Sequence, residues 1–242
     1  MRGERRAGSD GVQVTKPAPA SVRAHGAVWP RRIRIAALAL LLATAGSLIQ
    51  GNLALVVMSW WARATTDLNA GPDLEGVPKL FIVDGRVWRG ARPDQAGYRS
   101  LATRGVGTVV DLQPGSHKDD DRQIRALGMD VTHLTVIDGR PPSPSQVRQF
   151  TAIVRATRGR VFVHCGEGVG RAGTMAAAYR VTTGQTDATT AVRESLAVGV
   201  LTLEQIAFVN SLDREGAHRP PAVATAVSRF LDAPRQLFNR FV

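Results

Sequence analysis

The chain has 242 residues, a formal net charge of +11 at pH 7 and an isoelectric point near 11.3. That length admits one large domain or one ordinary domain with appendages, and a single cysteine, Cys165, excludes an intrachain disulfide. The charge does not point to nucleic acid: about half of the excess sits in residues 1–34, lysine occurs only at 16, 79 and 118, and no basic stripe is interleaved with aromatic rings for base stacking.

Residues 1–34 are rich in Arg, Gly, Ala, Ser and Pro without apolar periodicity, which predicts a basic disordered tail. From Ile35 to Trp61 no residue is charged. A run of that length crosses about 30 Å of hydrocarbon with some tilt, and Trp60 and Trp61 fall where an interfacial aromatic belt would lie. One transmembrane helix over 35–61 is the direct reading. Ala43-Thr44-Ala45 resembles a signal-peptide cleavage site, but the apolar run continues well past it, which favours an uncleaved anchor; a buried core helix is the other alternative. Arg31, Arg32 and Arg34 crowd the N-terminal edge, so the tail is expected in the cytoplasm and the remainder of the chain outside it.

Residues 62–79, with Gly71-Pro72 and Val77-Pro78, read as a linker. Leu80–Val83, the turn Asp84-Gly85 and Val87–Arg89 predict a hairpin. A helix is expected over 94–104 after Pro93, a buried strand over 106–112, a short helix ending near Gly128, and a strand from Asp130 to Ile137. The run Asp119-Asp120-Asp121 invites a metal, yet acidic residues at a helix start serve the helix dipole equally well, so no metal is expected. Ser143 or Ser145 caps a helix over 145–157 with Val147, Phe150, Ile153 and Val154 on its apolar face. Helices over 171–183, 188–198 (capped by Asp187) and 203–213 (capped by Thr202) complete a domain over 80–217. Strands alternating with helices predict a three-layer α/β sandwich with a central, mostly parallel sheet. Residues 218–242 form an amphipathic helical extension, restarting at Pro234, that packs on the domain or lies on a membrane surface.

The stretch that carries chemistry is His164-Cys165-Gly166-Glu167-Gly168-Val169-Gly170-Arg171. Arg160–Val163 before it reads as a buried strand and Met175–Arg180 after it as helix, so the stretch is a strand–loop–helix junction. Glycines let consecutive amides turn inward as an anion nest, and the helix start adds its positive end. The thiolate is the nucleophilic form of cysteine, and an arginine fork grips two phosphoryl oxygens. A lone cysteine in a glycine-rich turn can equally be a small buried hydrophobe.

His-Cys, five residues, then Arg resembles the signature loop of the cysteine-dependent protein phosphatases, and its surroundings look like the dual-specificity branch of bacterial or atypical type. Trp88-Arg89-Gly90-Ala91-Arg92-Pro93 resembles the entry to such domains, and rhodanese-like sulfur transferases carry a loop one residue shorter. The resemblance implies Cys165 as nucleophile, Gly166, Glu167, Gly168, Val169, Gly170 and Arg171 as the phosphate-binding loop, and His164 as a support that tunes the thiolate by hydrogen bonding. It implies an aspartate as general acid. Asp138, after a strand and before a Pro-rich loop, is the candidate, with Asp111 as rival. No cofactor is implied; the partners would be a phosphorylated protein or a small phosphomonoester, and the membrane through 35–61. Relatives place Ser or Thr after the arginine, whereas this chain has Ala172, as the phosphatases of regenerating liver do. A slow second step follows, and the alternative function is a pseudophosphatase that binds phosphorylated ligands with little turnover.

Overall fold

A computed structural model of the chain describes residues 31–67, 71–115, 117–213, 216–217 and 220–238. The expected tail lies outside these residues except for its last positions, which begin a helix. That helix, α1, runs Arg31–Thr65, and its segment Ile35–Thr65 is long and apolar enough to cross a membrane. By its contacts the chain forms two units, Met1–Leu42 and Ala43–Val242, so the division falls within α1.

In the second unit the hairpin forms as the turn residues dictate. Strands β1 (Phe81–Ile82) and β2 (Val87–Ala91) pair antiparallel, and Asp84 Oδ1 accepts from the amides of Arg86 and Val87 at 2.7 Å each. Helix α2 (Gln95–Thr103) is capped by Asp94, and β3 (Val106–Asp111), α3 (Lys118–Ala126) and β4 (Asp130–His133) follow. The ladder continues beyond β4, since the amides of Leu134 and Val136 donate to the carbonyls of Asp111 and Leu112. Ser143, rather than Ser145, caps α4 (Pro144–Ala156) in a capping box with Gln146. Then come β5 (Arg160–Cys165), α5 (Gly170–Thr182), α6 (Ala188–Val198) and α7 (Leu203–Asn210), the last two capped by Asp187 and Thr202.

The sheet has the order β1-β2-β5-β3-β4 and is parallel except at β1. Alternation along each strand splits the apolar residues between two cores. Val161, Val163 and Cys165 of β5 and Val110 of β3 pack under α4–α7, while Phe162, Val106 and Val109 pack under α2 and α3. This is the three-layer α/β sandwich with a mostly parallel sheet expected from the sequence.

Four local expectations are corrected. Helix α7 ends at Asn210 rather than 213, because Leu212–Asp213 (β6) turns back to pair with Gly216–Ala217 (β7). Pro234 does not restart a helix: α8 runs unbroken as Ala222–Phe238 with the proline inside it. Helix α1 extends to Thr65, past the expected end of the span. The presumed linker supplies core, since Ala62, Leu74 and Val77 are buried and the Gly76 carbonyl accepts from the amide of Asp94.

Candidate active site

The carboxyl ends of β5 and β2 lie side by side, pairing Ala91 with Cys165 and Gly90 with His164, and the loop 166–169 leaves the sheet there for α5. Two of its carbonyls are drawn away to β2: Gly166 O accepts from the amide of Arg92 and Gly168 O from Nη1 of Arg89, both at 3.2 Å. Gly168 adopts φ +73°, and a Cβ there would come within 2.4 Å of the Ala91 amide nitrogen, so the turn needs glycine. Val169 O and Gly170 O begin the helix, accepting from Gly173 N and Thr174 Oγ1.

A cleft of about 360 Å³ opens over this loop. Cys165 lines it from the end of β5, Glu167 and Val169 from the loop, Gly170 and Arg171 from α5, Asp138 and Gly139 from the loop after β4, and Val198–Val200 from the end of α6 and the connection to α7. Cys165 is 2% exposed. The Arg171 guanidinium is nearly buried, with Nη1 3.5 Å from the Val136 carbonyl and Nη2 3.3 Å from Asp138 Oδ1. The cleft thus gathers a thiol and a guanidinium 6 residues apart with a carboxylate that lies 27 and 33 residues before them in sequence. Asp138 is set by its backbone. Gly139 O accepts from Thr202 Oγ1 at 2.8 Å, Arg140 O from Gln205 Nε2 at 3.3 Å, and Asp138 O from Gln236 Nε2 at 3.4 Å. Caps of α7 and a side chain of α8 therefore hold the loop that carries the carboxylate.

His164 lies elsewhere. The alternation that sends Cys165 to one face of the sheet sends His164 to the other, where it stacks on Phe162 at 5.9 Å. It is 1% exposed, and burial lowers its pKa to about 4, with the charge of Asp111 the main opposing influence. Neither ring nitrogen makes a hydrogen bond of ordinary geometry among the described residues, although a contact with the backbone of Cys165 also opposes the fall. Asp111, the rival acid, shares that far face and does not line the cleft. Glu167 turns outward, 3.3 Å from Lys79 Nζ.

Arg89, Gln205 and Arg63 belong to the site region although the sequence assigned them no role there. Arg89 is an arginine in a fully buried strand; burial pulls its guanidinium down to about 10, opposed chiefly by the sulfur of Cys165, so it remains a cation at neutral pH. A charge inside an otherwise apolar strand was the available signal. Gln205 and Arg63 also line the cleft. Arg63, on α1, donates through Nε and Nη2 to the carbonyls of Ala197 and Val198, both at 3.1 Å. Nothing local in the sequence marks either residue.

Comparisons with known proteins identify the family and the fold. A family model described as "DSP-PTPase phosphatase fused to NAD+ Kinase" matches residues 82–211, just over half of the chain. Among curated proteins, the mouse dual specificity protein phosphatase CDC14A is 44% identical over 85 residues, 35% of this chain and 14% of that protein. The rice probable NAD kinase 2, chloroplastic, is 32% identical over 100 residues, 38% of this chain and 10% of that protein. The chain thus spans only about a tenth to a seventh of the length of these relatives. Among solved structures, the core catalytic domain of the PP-IP phosphatase SIW14 from S. cerevisiae superposes with a TM-score of 0.52 at 16% identity, covering 58% of this chain and 89% of that one; a likeness at this identity bears on the fold. With the signature stretch at the end of β5 and the family match running through it, the chain belongs to the DSP-PTPase family described as fused to NAD+ kinase, within the dual-specificity-like cysteine phosphatases.

Proposed function

We propose that the protein hydrolyses phosphomonoesters, phosphotyrosine and also phosphoserine or phosphothreonine, through a phosphocysteine intermediate. The Cys165 thiolate attacks phosphorus; the S–P bond forms as the ester O–P bond breaks, and Asp138 gives its proton to the departing oxygen. Arg171 and the amides of residues 166–170 hold the three remaining oxygens as they flatten. Water then attacks the phosphocysteine, Asp138 takes the proton, and inorganic phosphate leaves with the thiolate restored. No metal or cofactor enters this scheme. Ala172 offers no hydroxyl to the departing sulfur, and the Thr174 hydroxyl is buried and already donates to Gly170 O, so the second step is the slower.

The observation that carries this reading is the meeting of Cys165, Arg171 and Asp138 in one cleft, with Arg171 and Asp138 3.3 Å apart. The identity with dual-specificity phosphatases through 85 residues supports the substrate class. The test is pre-steady-state hydrolysis of an aryl phosphate. The expected result is a burst of phenol followed by slow turnover, blocked by vanadate and absent from Cys165→Ser. Unchanged hydrolysis by that variant would overturn the mechanism. Binding of vanadate without burst or turnover in the wild type would favour the pseudophosphatase.

We further propose that α1 anchors the protein through residues 35–61, with the N-terminal tail cytoplasmic and the catalytic unit, residues 80–217 with the extension 218–242, outside the cytoplasm. The exposed apolar side chains along α1, Leu38, Leu40, Leu41, Leu42 and Ile49 among them, and the arginines before the span support this reading. Labelling of intact cells with an impermeant thiol reagent should modify Cys165; labelling only after lysis would reverse the orientation.

A further inference from the structure

Across the sheet from the cleft, Asp111 at the end of β3 meets two histidines that the proposed mechanism does not use. Asp111 Oδ1 accepts from the amide of Gln113 at 2.8 Å, which leaves Oδ2 to face His117 Nδ1 at 2.8 Å and His133 Nδ1 at 3.6 Å. The other nitrogen of His133, Nε2, lies 3.0 and 3.2 Å from the two carboxylate oxygens of Asp121. That contact places the His133 proton on Nε2, because a carboxylate accepts and cannot donate. Nδ1 of the same ring is thereby turned toward the Asp111 carboxylate, where a proton or a metal ion can join the two.

A histidine whose far nitrogen donates to a carboxylate is the arrangement that orients imidazole toward a metal ion. Here one donor atom from each of Asp111, His117 and His133 lies within 4.8 Å of the others. Ligands of a tetrahedral ion bound at 2.0–2.1 Å stand about 3.3 Å apart, so the cluster needs adjustments of up to about 1.5 Å in a pairwise separation. Two imidazoles and one carboxylate are a donor set for zinc-class ions and a poor one for magnesium or calcium.

We propose that Asp111, His117 and His133 bind one divalent transition-metal ion of the zinc class, with Asp121 orienting His133 and water completing the coordination. On binding, the ion takes the place of the hydrogen bond between His117 Nδ1 and Asp111 Oδ2, and the His117 ring keeps a proton on Nε2. The site is separate from the cleft: Asp111 shares the face of Phe162 and His164, not that of Cys165. It still ties the ends of β3 and β4 to the residue before α3, beside the strand that ends in Cys165. An ion there would stiffen the carboxyl edge of the sheet from which the loop springs.

The test uses the full chain, untagged and in detergent, carrying Cys165→Ser so that the only thiol does not compete for metal. Titration with zinc chloride by calorimetry is expected to give one ion per chain and a rise in Tm, and cobalt(II) is expected to show the strong visible bands of a four-coordinate ion. His117→Gln with His133→Gln should abolish both, and Asp121→Asn should weaken binding about 10- to 100-fold at unchanged stoichiometry. Melting of each variant without metal checks that it is folded. No zinc binding by the parent protein, or equal binding by the double-glutamine variant, would reduce the cluster to hydrogen-bonded ion pairs and overturn the proposal.

Discussion

Nη1 of Arg89 donates to the carbonyl of Gly168 at 3.2 Å from inside a strand that is otherwise closed to water. The arginine lies within 4.9 Å of the Phe81 ring and holds its charge against the desolvation that lowers its pKa. It therefore pulls one loop carbonyl outward and leaves the neighbouring amides free to face a phosphoryl group. A hydrogen bond to a charged group contributes about 1.5–3 kcal/mol, so Arg89→Met should lower kcat/KM for an aryl phosphate by about 10- to 100-fold. Arg89→Lys should restore part of it. An unaltered kcat/KM in Arg89→Met, with the variant folded, would mean that the loop holds its shape without this contact.

The loop's other constraint is steric. Gly168 sits at φ +73° with its α-carbon pressed against the backbone of Gly90 and Ala91, where a methyl group would meet atoms at 2.4 and 2.6 Å. Gly168→Ala should lower stability by at least about 1 kcal/mol and reduce activity more than stability, because relief of the clash moves the loop away from β2. Melting curves beside kcat/KM separate the two. Gly115, also at positive φ but with nothing within 4 Å of its added Cβ, is the comparison: Gly115→Asn should leave activity near the wild-type value.

Asp138 is expected to act on the leaving group, and that role has a distinctive signature. General acid catalysis contributes about 10²- to 10⁴-fold, and most of it is needed when the departing oxygen is basic. Asp138→Asn should slow hydrolysis of an alkyl phosphate or phenyl phosphate by that range and of a nitrophenyl phosphate by far less. Equal losses for good and poor leaving groups would show that the carboxylate positions Arg171, its 3.3 Å neighbour, without protonating the ester.

Much of this arrangement was legible in the sequence because it is local. The caps Asp94, Ser143, Asp187 and Thr202 each bond a backbone amide three residues ahead, and the strands are short β-branched runs. The loop, its cysteine and its arginine lie within seven consecutive residues. What the sequence hid depends on partners far along the chain. Arg89 meets Gly168 across 79 positions and Ser59 meets Leu196 across 137. Pro234 sits inside α8 although it lacks the amide of the helix ladder, and Gln236 two residues on reaches Asp138 O across 98 positions, a contact that no window around residue 234 contains.

His164 gives the fold a dependence on pH. Its pKa falls from 6.5 to about 4 through burial, so the folded protein resists protonating it while the unfolded chain does not. A base with a lowered folded pKa contributes no penalty above pH 6.5; stability is lost as the pH falls from about 6.5 toward 4, by up to ~3 kcal/mol at 1.36 kcal/mol per unit. Chemical denaturation at pH 7.5, 6 and 4.5 should show this decline, and His164→Asn should flatten it relative to the wild type. An equal slope in both proteins would assign the acid sensitivity to groups other than His164.

The end of α1 belongs to the phosphatase unit as much as to the apolar span. Ser59, 6% exposed, donates to Leu196 O at 2.7 Å, Ala62 is buried in the larger core, and Arg63 bonds the carbonyls of Ala197 and Val198. These are the last carbonyls of α6, which have no partner within the helix, so α1 acts as its C-terminal cap just before the cleft-lining Gly199. A chain beginning at residue 67 loses three hydrogen bonds to α6, about 0.5–1.5 kcal/mol for that of the Ser59 hydroxyl and at most about 1.5–3 kcal/mol for each of the two from the charged Arg63, together with the packing of Ala62. It should melt well below a chain beginning at residue 43, which keeps all of them, and should bind vanadate more weakly because Val198–Val200 form one wall of the cleft. Arg63→Ala in the longer chain should reproduce the weaker binding with a smaller fall in Tm. Were the chain from residue 67 as stable and as tight-binding as the longer one, α1 would be a tether only.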